Sequence, residues 1–433
     1  MADAKALCAA ISAGAYDKAF NNLYGTADGM LARQRRRYCD ALAEFERYYG
    51  EGRQVRLYSA PGRTEIGGNH TDHNHGVVMA AGVNLDVIAV VSQNTDGFVR
   101  VKSYGFDKQD VVDLATLEPS EEEQGHSAAL IRGVAAGIRE RGGQIGGFDA
   151  YTTSDVLRGS GLSSSAAFEV VMGQAFNMEF NGGRFTPVEL AQISQKAENL
   201  FFGKPSGLMD QTACAVGSAI TIDFADPDQP QVSKVAFDLA AQNHALCITD
   251  TKGSHADLTP DYAAIRTEME AVAGFFGKQV LREVDEAEFF ENIAAIREKL
   301  GDRAVVRSIH FFADSRRAGQ LCEAVKQNRF ADFLALIREG GHSSFEYNQN
   351  AYSISHPQQQ GVPVGLAVSQ KVLGSEGAWR LQGGGFAGTI QAFVPLHLLE
   401  QYRTAMEKVF GEGSCYVLSV RNYGAVEVTP ELA

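Results

Sequence analysis

Apolar residues recur at three- and four-residue spacing in the first fifty positions of the chain. Ala4–Ile11 and Leu31–Tyr49 both carry this spacing, which is typical of amphipathic helices. A strand-like run follows at Gln54–Ser59 and is broken by Pro61 and Gly62. The pattern therefore predicts a helical extension over residues 1–50 and a sheet-containing region after it.

Strand and helix patterns occur in both halves of the remaining chain. An Asp-Pro-Asp turn at 226–228 lies between two strand-like runs, and we place a domain boundary there. Mixed strands and helices on both sides predict an α+β protein of two domains with a site in the cleft between them. The predicted parts are an N-terminal helical extension over 1–50, an N-terminal domain over 51–225 and a C-terminal domain over 226–433.

The individual elements follow from the same patterns. The predicted strands beyond residue 76 are 77–80, 85–91, 98–102, 148–153, 219–224, 245–250, 379–382, 389–394 and 415–420. The predicted helices are 126–140, 164–178, 187–200, 262–276, 286–299, 304–326 and 329–340.

Length and charge narrow the classes of protein. A chain of 433 residues is long for one hydrophobic core, which agrees with two domains. The net charge of −14 argues against nucleic acid as the main partner, because an acidic chain does not attract a phosphate backbone. No apolar stretch reaches the ~18 residues of a membrane-spanning helix. We expect no membrane partner, and a monomer is compatible with this composition.

Six scattered cysteines form no Cys-x-x-Cys pair. This usage argues against a zinc knuckle or a disulfide framework and predicts a protein of the reducing cytoplasm. The only dense basic run, Arg33–Arg37, falls in the predicted helix 31–49. We interpret it as a solvated helix face.

Glycine is enriched, with 45 residues, and the first of three glycine-rich stretches is Ala60–Gly76. It places many hydrogen-bonding side chains between two predicted strands, which favours a ligand site over a plain polar loop. A metal site is the alternative. It would use His70, Asp72, His73 and His75, whose spacing fits no standard ligand pattern.

The second stretch, Arg158–Ala167, follows a predicted strand and opens a predicted helix. Glycines free backbone N–H groups to surround an anion, and the helix N-terminus adds partial positive charge. The stretch is neither a Walker loop nor a hydrolase nucleophile elbow, since GxxxxGK[ST] and GxSxG are both absent. The structural alternative is that Ser163 is simply a helix N-cap.

The third stretch, Gln382–Thr389, matches GxGxxG at Gly383, Gly385 and Gly388. A strand-like run follows it where a dinucleotide site requires a helix, so we reject that interpretation. A glycine turn that closes over phosphates or supports the second stretch is the remaining prediction. Nearby in sequence to the second stretch, Glu198 and Asp210 could supply a magnesium ligand and a general base.

These motifs, in this order, resemble those of the GHMP small-molecule kinases. The order is GRxxxxGxHTDxN at 62–74, GxGLSSSA at 159–166 and GGGFxG at 383–388. The first motif, together with AEN-x₂-FG-x-P-x-G-x-MDQ at 197–211, is similar to the galactokinases in particular. The likeness runs from about Tyr48 to Val428.

The resemblance implies a sugar 1-kinase that uses ATP and Mg²⁺. Transfer of the γ-phosphoryl group to the anomeric hydroxyl of galactose would give galactose 1-phosphate. Arg63 and Asp210 match the catalytic positions, and Asp210 would face the anomeric hydroxyl. Sugar-binding positions are matched by Asn69, His70, Asp72 and Tyr262.

The resemblance also implies a phosphate loop and a metal site. The loop residues are Gly159, Ser160, Gly161, Leu162, Ser163, Ser164 and Ser165. Either Ser164 or Ser165, together with Glu198, would hold magnesium. Asp72 is our candidate for reading the axial 4-hydroxyl of galactose, since that discrimination needs a directed hydrogen bond.

Three departures from the galactokinase pattern concern the sugar. Asn69 replaces the usual glutamate, His73 replaces the usual tyrosine, and 355–360 reads Ser-His-Pro-Gln-Gln-Gln. Asparagine keeps hydrogen bonding but loses the negative charge. The alternatives are therefore another sugar 1-kinase, for N-acetylgalactosamine, arabinose or a related sugar, or a non-catalytic regulator that binds galactose and ATP.

Overall fold

The computed structural model describes residues 2–156, 161–253 and 258–432. Within these ranges, two sheets and the helices packed on them form the mixed α+β fold that the sequence predicts. The strands are β1 Ala2–Asp3, β2 Gln54–Gly67, β3 Val77–Gln93, β4 Phe98–Ser103, β5 Asp110–Asp113, β6 Phe148–Ser154, β7 Ala219–Asp223, β8 Gln231–Val235, β9 His244–Asp250, β10 Ala378–Leu381, β11 Thr389–Pro395, β12 Cys415–Leu418 and β13 Val426–Glu427.

The helices lie between these strands in the sequence, and the site is formed near the starts of several of them. They are α1 Ala4–Ser12, α2 Asp17–Tyr24, α3 Met30–Tyr49, α4 Ser127–Glu140, α5 Ser164–Asn181, α6 Pro187–Lys196, α7 Met209–Val216, α8 Thr259–Phe275, α9 Glu286–Glu291, α10 Ile293–Leu300, α11 Asp302–Lys326, α12 Phe330–Ser343, α13 Gly361–Leu373 and α14 Leu399–Phe410. No helix in the described ranges is long and apolar enough to cross a membrane.

The larger sheet is built on the antiparallel pair of β2 and β3, and β6, β4 and β5 extend it. Only the β4–β6 pairing is parallel among the described strand pairs. The runs 77–80 and 85–91 were predicted as separate strands, and they form one continuous strand, β3. Gly82 joins them because it pairs with Arg63 and donates its N–H to Ser218.

The smaller sheet has the order β10-β11-β9-β12 and is antiparallel throughout its described strands. Helices α13 and α14 pack together and against this sheet. The sequence patterns missed both helices. They also predicted one helix over 286–299, where the structure has two, α9 and α10, separated at Asn292. Ser369 on α13 and Tyr402 on α14 join through a buried hydrogen bond of 3.0 Å.

Strands on both sides of the predicted boundary at 225/226 share the larger sheet. β8 pairs with β7, and β13, close to the end of the described chain, pairs with β2. The buried core around this sheet likewise includes Leu321 and Phe333 from the second half. The division into three parts remains a prediction. The structure shows that the predicted N-terminal and C-terminal domains both contribute strands to the larger sheet.

The N-terminal extension forms its own apolar layer on the larger sheet. Phe20, Tyr38 and Phe45 of its helices pack with Leu57 and Val90 of β2 and β3. Burial of these large side chains gives the extension a fixed position rather than a loose attachment.

Two expectations about the extension are wrong. Cys8 and Cys39 form a disulfide with an S–S distance of 2.20 Å, which the scattered cysteines did not indicate because α1 and α3 are neighbours only in the fold. The Arg33–Arg37 run is also no uniformly solvated face. Arg37 is buried against Asp86 at 2.6 Å, and Arg35 pairs with Asp17.

Candidate active site

Four segments separated in sequence meet beside the end of β2. They are the β2–β3 loop, the start of α5, the turn before α7 and the glycine-rich turn between β10 and β11. Hydrogen bonds between side chains and backbone connect all four. The three glycine-rich stretches that the sequence singled out are therefore neighbours.

Arg63 and Asp210 form a two-point ion pair at the centre of this region. Arg63 Nε lies 2.7 Å from Asp210 Oδ1, and Arg63 Nη2 lies 2.7 Å from Oδ2. The arginine side chain is buried, whereas the carboxylate keeps 31% of its surface exposed. A parallel pairing of this kind fixes the orientation of a carboxylate more tightly than a single contact.

The environment of Asp210 keeps its carboxylate ionised. Burial raises the pKa of Asp210, but the charge of Arg63 and hydrogen bonds from Arg63 and Ser163 outweigh it and leave the pKa below its ordinary value. Asp210 is also the second residue of α7, where the helix N-terminus favours a negative charge. The exposed side of the carboxylate can accept a hydrogen bond from a bound hydroxyl group.

Ser163 stands at the N-cap position of α5 but does not cap it through its side chain. Its hydroxyl donates to Asp210 Oδ2 instead. The N-cap position is therefore confirmed, whereas a capping hydrogen bond from the side chain is not formed. The backbone of Ser163 is left-handed, with φ 57°, a conformation that costs energy for a non-glycine residue and often marks a functional site. That conformation turns the hydroxyl away from the helix and towards α7.

The glycine-rich stretch Gln382–Thr389 was predicted either to close over phosphates or to support the serine stretch. Its contacts with Gly161 agree with the second role. Gln382 Nε2 donates to the carbonyl of Gly161 at 3.2 Å, and Arg63 Nη1 donates to the same oxygen. A Cβ at position 161, where φ is +68°, would lie 2.8 Å from Thr389 Oγ1. Glycine at 161 is thus required by both backbone conformation and space.

Asn69 lies within a buried amide network. Its Nδ2 donates to Glu65 Oε1 at 3.0 Å and to the carbonyl of Gly383 at 2.8 Å. Its Oδ1 accepts from Asn350 Nδ2 at 2.9 Å, and its side chain is fully buried. The amide therefore binds protein groups on both sides. The predicted contact of Asn69 with a sugar stays a prediction, and the geometry gives the residue a role in holding the loop.

His70 and Tyr262 lie on either side of the same glycine turn. His70 Nε2 lies 2.9 Å from the Gly384 carbonyl, and the Tyr262 hydroxyl donates to the Gly385 carbonyl at 3.0 Å. Burial lowers the pKa of His70 to about 4, so the ring is neutral near pH 7. A Cβ at Gly384 would lie 2.6 Å from the Tyr262 ring, and glycine lets the turn approach the ring this closely.

Asp72 opens a short 3₁₀ turn in the β2–β3 loop and faces the segment that precedes α7. Its Oδ1 accepts from the His73 N–H at 2.9 Å, and a Cβ at Gly207 would overlap its carboxylate. Burial, and then the nearby Asp210 carboxylate, raise the pKa of Asp72 to about 6. Two carboxylates with different acidities thus lie in one site.

Glu198 forms a second polar cluster next to the start of α5. Its Oε1 accepts from Ser165 Oγ at 3.2 Å and from Lys204 Nζ at 3.0 Å, and its Oε2 accepts from Gln211 Nε2 at 2.9 Å. Ser165 is therefore the one of the two candidate serines that has a contact with Glu198 at hydrogen-bond distance; Ser164 precedes it in the first turn of α5.

Glu169 and Gln211 are two members of this cluster that sequence reasoning missed. Gln211 Nε2 also donates to Glu169 Oε2 at 3.2 Å, and both residues are fully buried. Glu169 Oε1 and Gln211 Oε1 are buried without a partner among the described residues. The missed signal is that Glu169 follows Ser165 by four residues, which places both on one helix face, and that Gln211 adjoins Asp210.

The Glu198 cluster fits a magnesium ion, which prefers oxygen ligands and keeps few protein ligands. It offers carboxylate, hydroxyl and amide oxygens, of which Glu169 Oε1 and Gln211 Oε1 have no partner among the described residues. Lys204 Nζ and Gln211 Nε2 are hydrogen-bonded to the Glu198 carboxylate, so an ion bound by Glu198 would take the place of the lysine contact. The alternative metal site at His70, Asp72, His73 and His75 is not supported, since the described residues hold no group of three or more His, Cys, Asp or Glu arranged for a metal.

Two of the predicted phosphate-loop residues, Gly159 and Ser160, lie outside the described residues. Gly161 to Ser165 are described, and they lie between Arg63 on one side and Glu198 on the other. Leu162 accepts the Arg63 backbone N–H at 3.0 Å through its carbonyl and is fully buried. The described part of the loop is thus held by β2 as well as by α5.

The sequence of the chain is similar to those of known kinases. Residues 129–218 match the GHMP kinases N terminal domain, and residues 43–93 match the galactokinase galactose-binding signature. The galactokinase of Streptomyces coelicolor is 33% identical over 360 residues, which cover 82% of this chain and 88% of that protein. The galactokinase of Glaesserella parasuis is 31% identical over 364 residues, or 83% and 90% of the two chains.

Solved structures agree in fold. Lactococcus lactis galactokinase complexed with galactose superposes with a TM-score of 0.77 at 23% identity, covering 89% of this chain and 98% of that one. A mevalonate kinase superposes with a TM-score of 0.58 at 12% identity, covering 84% and 98%. At these identities the likeness concerns the fold alone.

Proposed function

The chain belongs to the galactokinase family of GHMP kinases, and from that premise we propose that it transfers the γ-phosphoryl group of ATP to the anomeric hydroxyl of galactose. The products are galactose 1-phosphate and ADP. The observation that carries the proposal is the Arg63–Asp210 pair, which has an exposed carboxylate edge and lies against the serine stretch at the start of α5.

Phosphoryl transfer requires the two substrates in line and the charge on the phosphoryl oxygens neutralised. The backbone of Gly161–Ser165 and the N-terminus of α5 would bind the phosphates of ATP, as the exposed amide groups of a helix start do. Arg63 would face both the γ-phosphoryl group and the attacking hydroxyl. Its burial fixes its position before the substrates arrive.

In the reaction, the bond between the γ-phosphorus and the β–γ bridging oxygen breaks as the sugar oxygen binds the phosphorus. The hydroxyl proton passes to Asp210 and then to solvent. Since the pKa of Asp210 lies below its ordinary value, the carboxylate is a weak base before attack. Its main role is then to orient the hydroxyl, and it takes the proton late, once the new bond has acidified the oxygen.

Glu198 and Ser165 would hold Mg²⁺ together with the nucleotide phosphates, with Ser164 as the neighbouring candidate. The bound ion supplies charge neutralisation at the β- and γ-phosphates. Lys204 pairs with Glu198 and would provide further positive charge on the same side.

Asp72, His70 and Tyr262 would bind the sugar. The Asp72 carboxylate lies against Gly207, three residues before Asp210, so a sugar held by Asp72 would lie close to the catalytic carboxylate. A carboxylate that accepts from the axial 4-hydroxyl distinguishes galactose from glucose by a directed hydrogen bond. Asn69 would act on the sugar through the loop that it holds.

A panel of sugars with ATP and Mg²⁺, followed by coupled release of ADP, tests the proposal. We expect turnover with galactose and a much lower kcat/KM with glucose, N-acetylgalactosamine and arabinose. Faster turnover of N-acetylgalactosamine or arabinose would replace galactose as the substrate while keeping the kinase. Absence of turnover with every sugar, despite binding of galactose and ATP, would identify a regulator instead.

A further inference from the structure

One feature of the sequence has no part in the function proposed above: the basic run on α3. Arg33 and Arg37 are one helical turn apart, so their side chains lie on one face of α3. That face points at the end of β6, immediately before the serine-containing loop. Arg33 Nη2 lies 2.7 Å from Asp155 Oδ2, and Arg37 Nη1 lies 3.2 Å from the same oxygen.

Arg37 connects Asp155 to the larger sheet. Its Nη1 lies 2.6 Å from Asp86 Oδ1, and its Nη2 donates to the carbonyls of Asp86 at 3.0 Å and of Thr153 at 3.3 Å. The Asp155 N–H in turn donates to the Asp86 carbonyl at 2.9 Å. Arg37 and Asp86 are almost completely buried. A buried charge pair with several hydrogen bonds fixes one geometry and excludes others.

Asp155 stands one residue before the point where the loop contacts Arg63's strand. A Cβ at Gly62 would lie 2.8 Å from the Leu162 carbonyl and 3.1 Å from Val156 Cγ1. Val156 and Leu162 therefore lie together against the same side of Gly62 in β2. Asp155 precedes Val156 directly, so contacts that fix Asp155 restrict the position of Val156 beside Leu162.

We infer that Arg33 and Arg37 are positioning residues for the binding of ATP, because through Asp155 they fix Val156, which lies beside Leu162 against Gly62. The inference rests on the proposed function, since it takes Gly161–Ser165 as the part of the loop that meets the nucleotide. It gives the N-terminal extension a function beyond packing, which is to fix Val156 beside the described part of the loop before ATP binds.

The expected effect is on nucleotide affinity. When only a fraction of molecules has the binding-competent loop, the apparent dissociation constant rises by the inverse of that fraction. Arg33→Ala removes a half-exposed ion pair and should weaken ADP binding about two- to fivefold. Asp155→Asn weakens both arginine contacts, and we expect a loss of about tenfold.

The experiment measures ADP binding by titration calorimetry, and KM for ATP and for the sugar, in the full-length chain. Arg36→Ala is the matched control, because Arg36 lies on the same helix, is 85% exposed and pairs only weakly with Asp40 at 3.9 Å. We expect Arg33→Ala and Asp155→Asn to raise the ADP dissociation constant and KM for ATP, with kcat and the sugar KM unchanged. Arg33→Lys, which keeps the charge, should restore most of the affinity.

Two outcomes would overturn the inference. In one, Arg33→Ala and Asp155→Asn bind ADP as tightly as Arg36→Ala does. In the other, ADP and sugar affinities fall together with the melting temperature, which is the sign of a general structural role. A wild-type chain that binds ADP but turns over no sugar would reject the proposed function instead, and the calorimetric comparison would still decide the role of Arg33.

Discussion

The two halves of the candidate site are held together by different physics. The charged half consists of Arg63, Ser163 and Asp210, and it is organised by one ion pair whose carboxylate keeps an exposed edge. The amide half consists of Asn69, Asn350 and the Gly383–Gly385 turn, and it is organised by buried, uncharged hydrogen bonds. The exposed edge of the Asp210 carboxylate can still accept a hydrogen bond from a substrate, whereas the Asn69 amide already has protein partners at both its oxygen and its nitrogen.

The difference suggests that the charged half takes part in the reaction and that the amide half holds the loop and the glycine turn in place. In the charged half, the pKa of Asp210 is lowered and its charge is available where a hydroxyl can approach. In the amide half, the network holds the glycine turn whose carbonyls, at Gly384 and Gly385, are hydrogen-bonded to His70 and Tyr262. Substitutions in the charged half should therefore act mainly on turnover, and substitutions in the amide half mainly on stability.

The largest expected effect comes from Asp210→Asn. The side chain keeps its size but loses the charge that orients the hydroxyl and accepts its proton, and such losses typically cost ~10²–10⁴-fold in rate. We expect kcat to fall by that amount while galactose and ADP still bind, with kcat from steady-state kinetics and binding from calorimetry. Near-normal turnover would remove Asp210 from the reaction.

Asp72→Ala comes next and tests where the charged half ends. Asp72 shares the electrostatic environment of Asp210 but is proposed to bind the sugar rather than to react. Loss of a hydrogen bond to a charged group costs about 1.5–3 kcal/mol, so KM for galactose should rise about 10- to 100-fold. ADP affinity serves as the internal control and should stay as in wild type. Unchanged galactose affinity would show that the sugar site is misplaced.

The charged half was also the part that the sequence could predict. Arg63, Ser163, Glu198 and Asp210 lie in short motifs whose residue types already indicate phosphate and proton chemistry. The helix and strand patterns placed the larger sheet and most helices, because those depend on local periodicity. The parts that the sequence could not predict depend on contacts between distant residues.

The amide half shows why. Asn69 and Gly383 are 314 positions apart and Asn69 and Asn350 are 281 apart, so no local pattern joins them. The buried partners of Arg37 and the Cys8–Cys39 disulfide were missed for the same reason. The sugar contact at Asn69 was implied by a motif match and remains a prediction, whereas the complete burial of Asn69 depends on His310 and Ser344, which are distant in sequence.

Asn69→Ala tests the amide half and should act mainly on stability. The substitution removes the Asn69 donor of the Gly383 carbonyl and one of the two acceptors of the Asn350 amide, which keeps its bond to the Gly384 carbonyl. Unsatisfied buried groups cost about 1–3 kcal/mol each. We expect the free energy of unfolding, from urea titration, to fall by about 2–4 kcal/mol, with galactose KM raised less than in Asp72→Ala and kcat near wild type.

Asn84→Ala is a control for removal of an asparagine away from the site. Asn84 is half-buried, accepts from the Ser419 N–H at 3.0 Å and donates to the Tyr24 carbonyl at 3.5 Å. It should lower stability without changing KM for galactose. A large loss of kcat in Asn69→Ala, with stability intact, would contradict the division into a chemical and an architectural half.

The smallest expected effect is a pH dependence of sugar binding through Asp72. Its pKa of about 6 in the folded protein means that the ionised, hydrogen-bond-accepting form predominates at pH 7.5 and is about one quarter of the population at pH 5.5, so KM for galactose should rise about fourfold between them. The direction of the pH effect distinguishes weaker sugar binding from unfolding. Because the folded pKa exceeds that of the unfolded chain, protonation of Asp72 adds stability as the pH falls through 6, and that stability is lost as the pH rises. Asp210 stays ionised over this range because its pKa is lowered, so kcat at saturating galactose and ATP should change little through Asp210. A midpoint near 7 would instead assign the effect to Glu65, whose pKa burial raises to about 7, and would place the titrating group in the amide half.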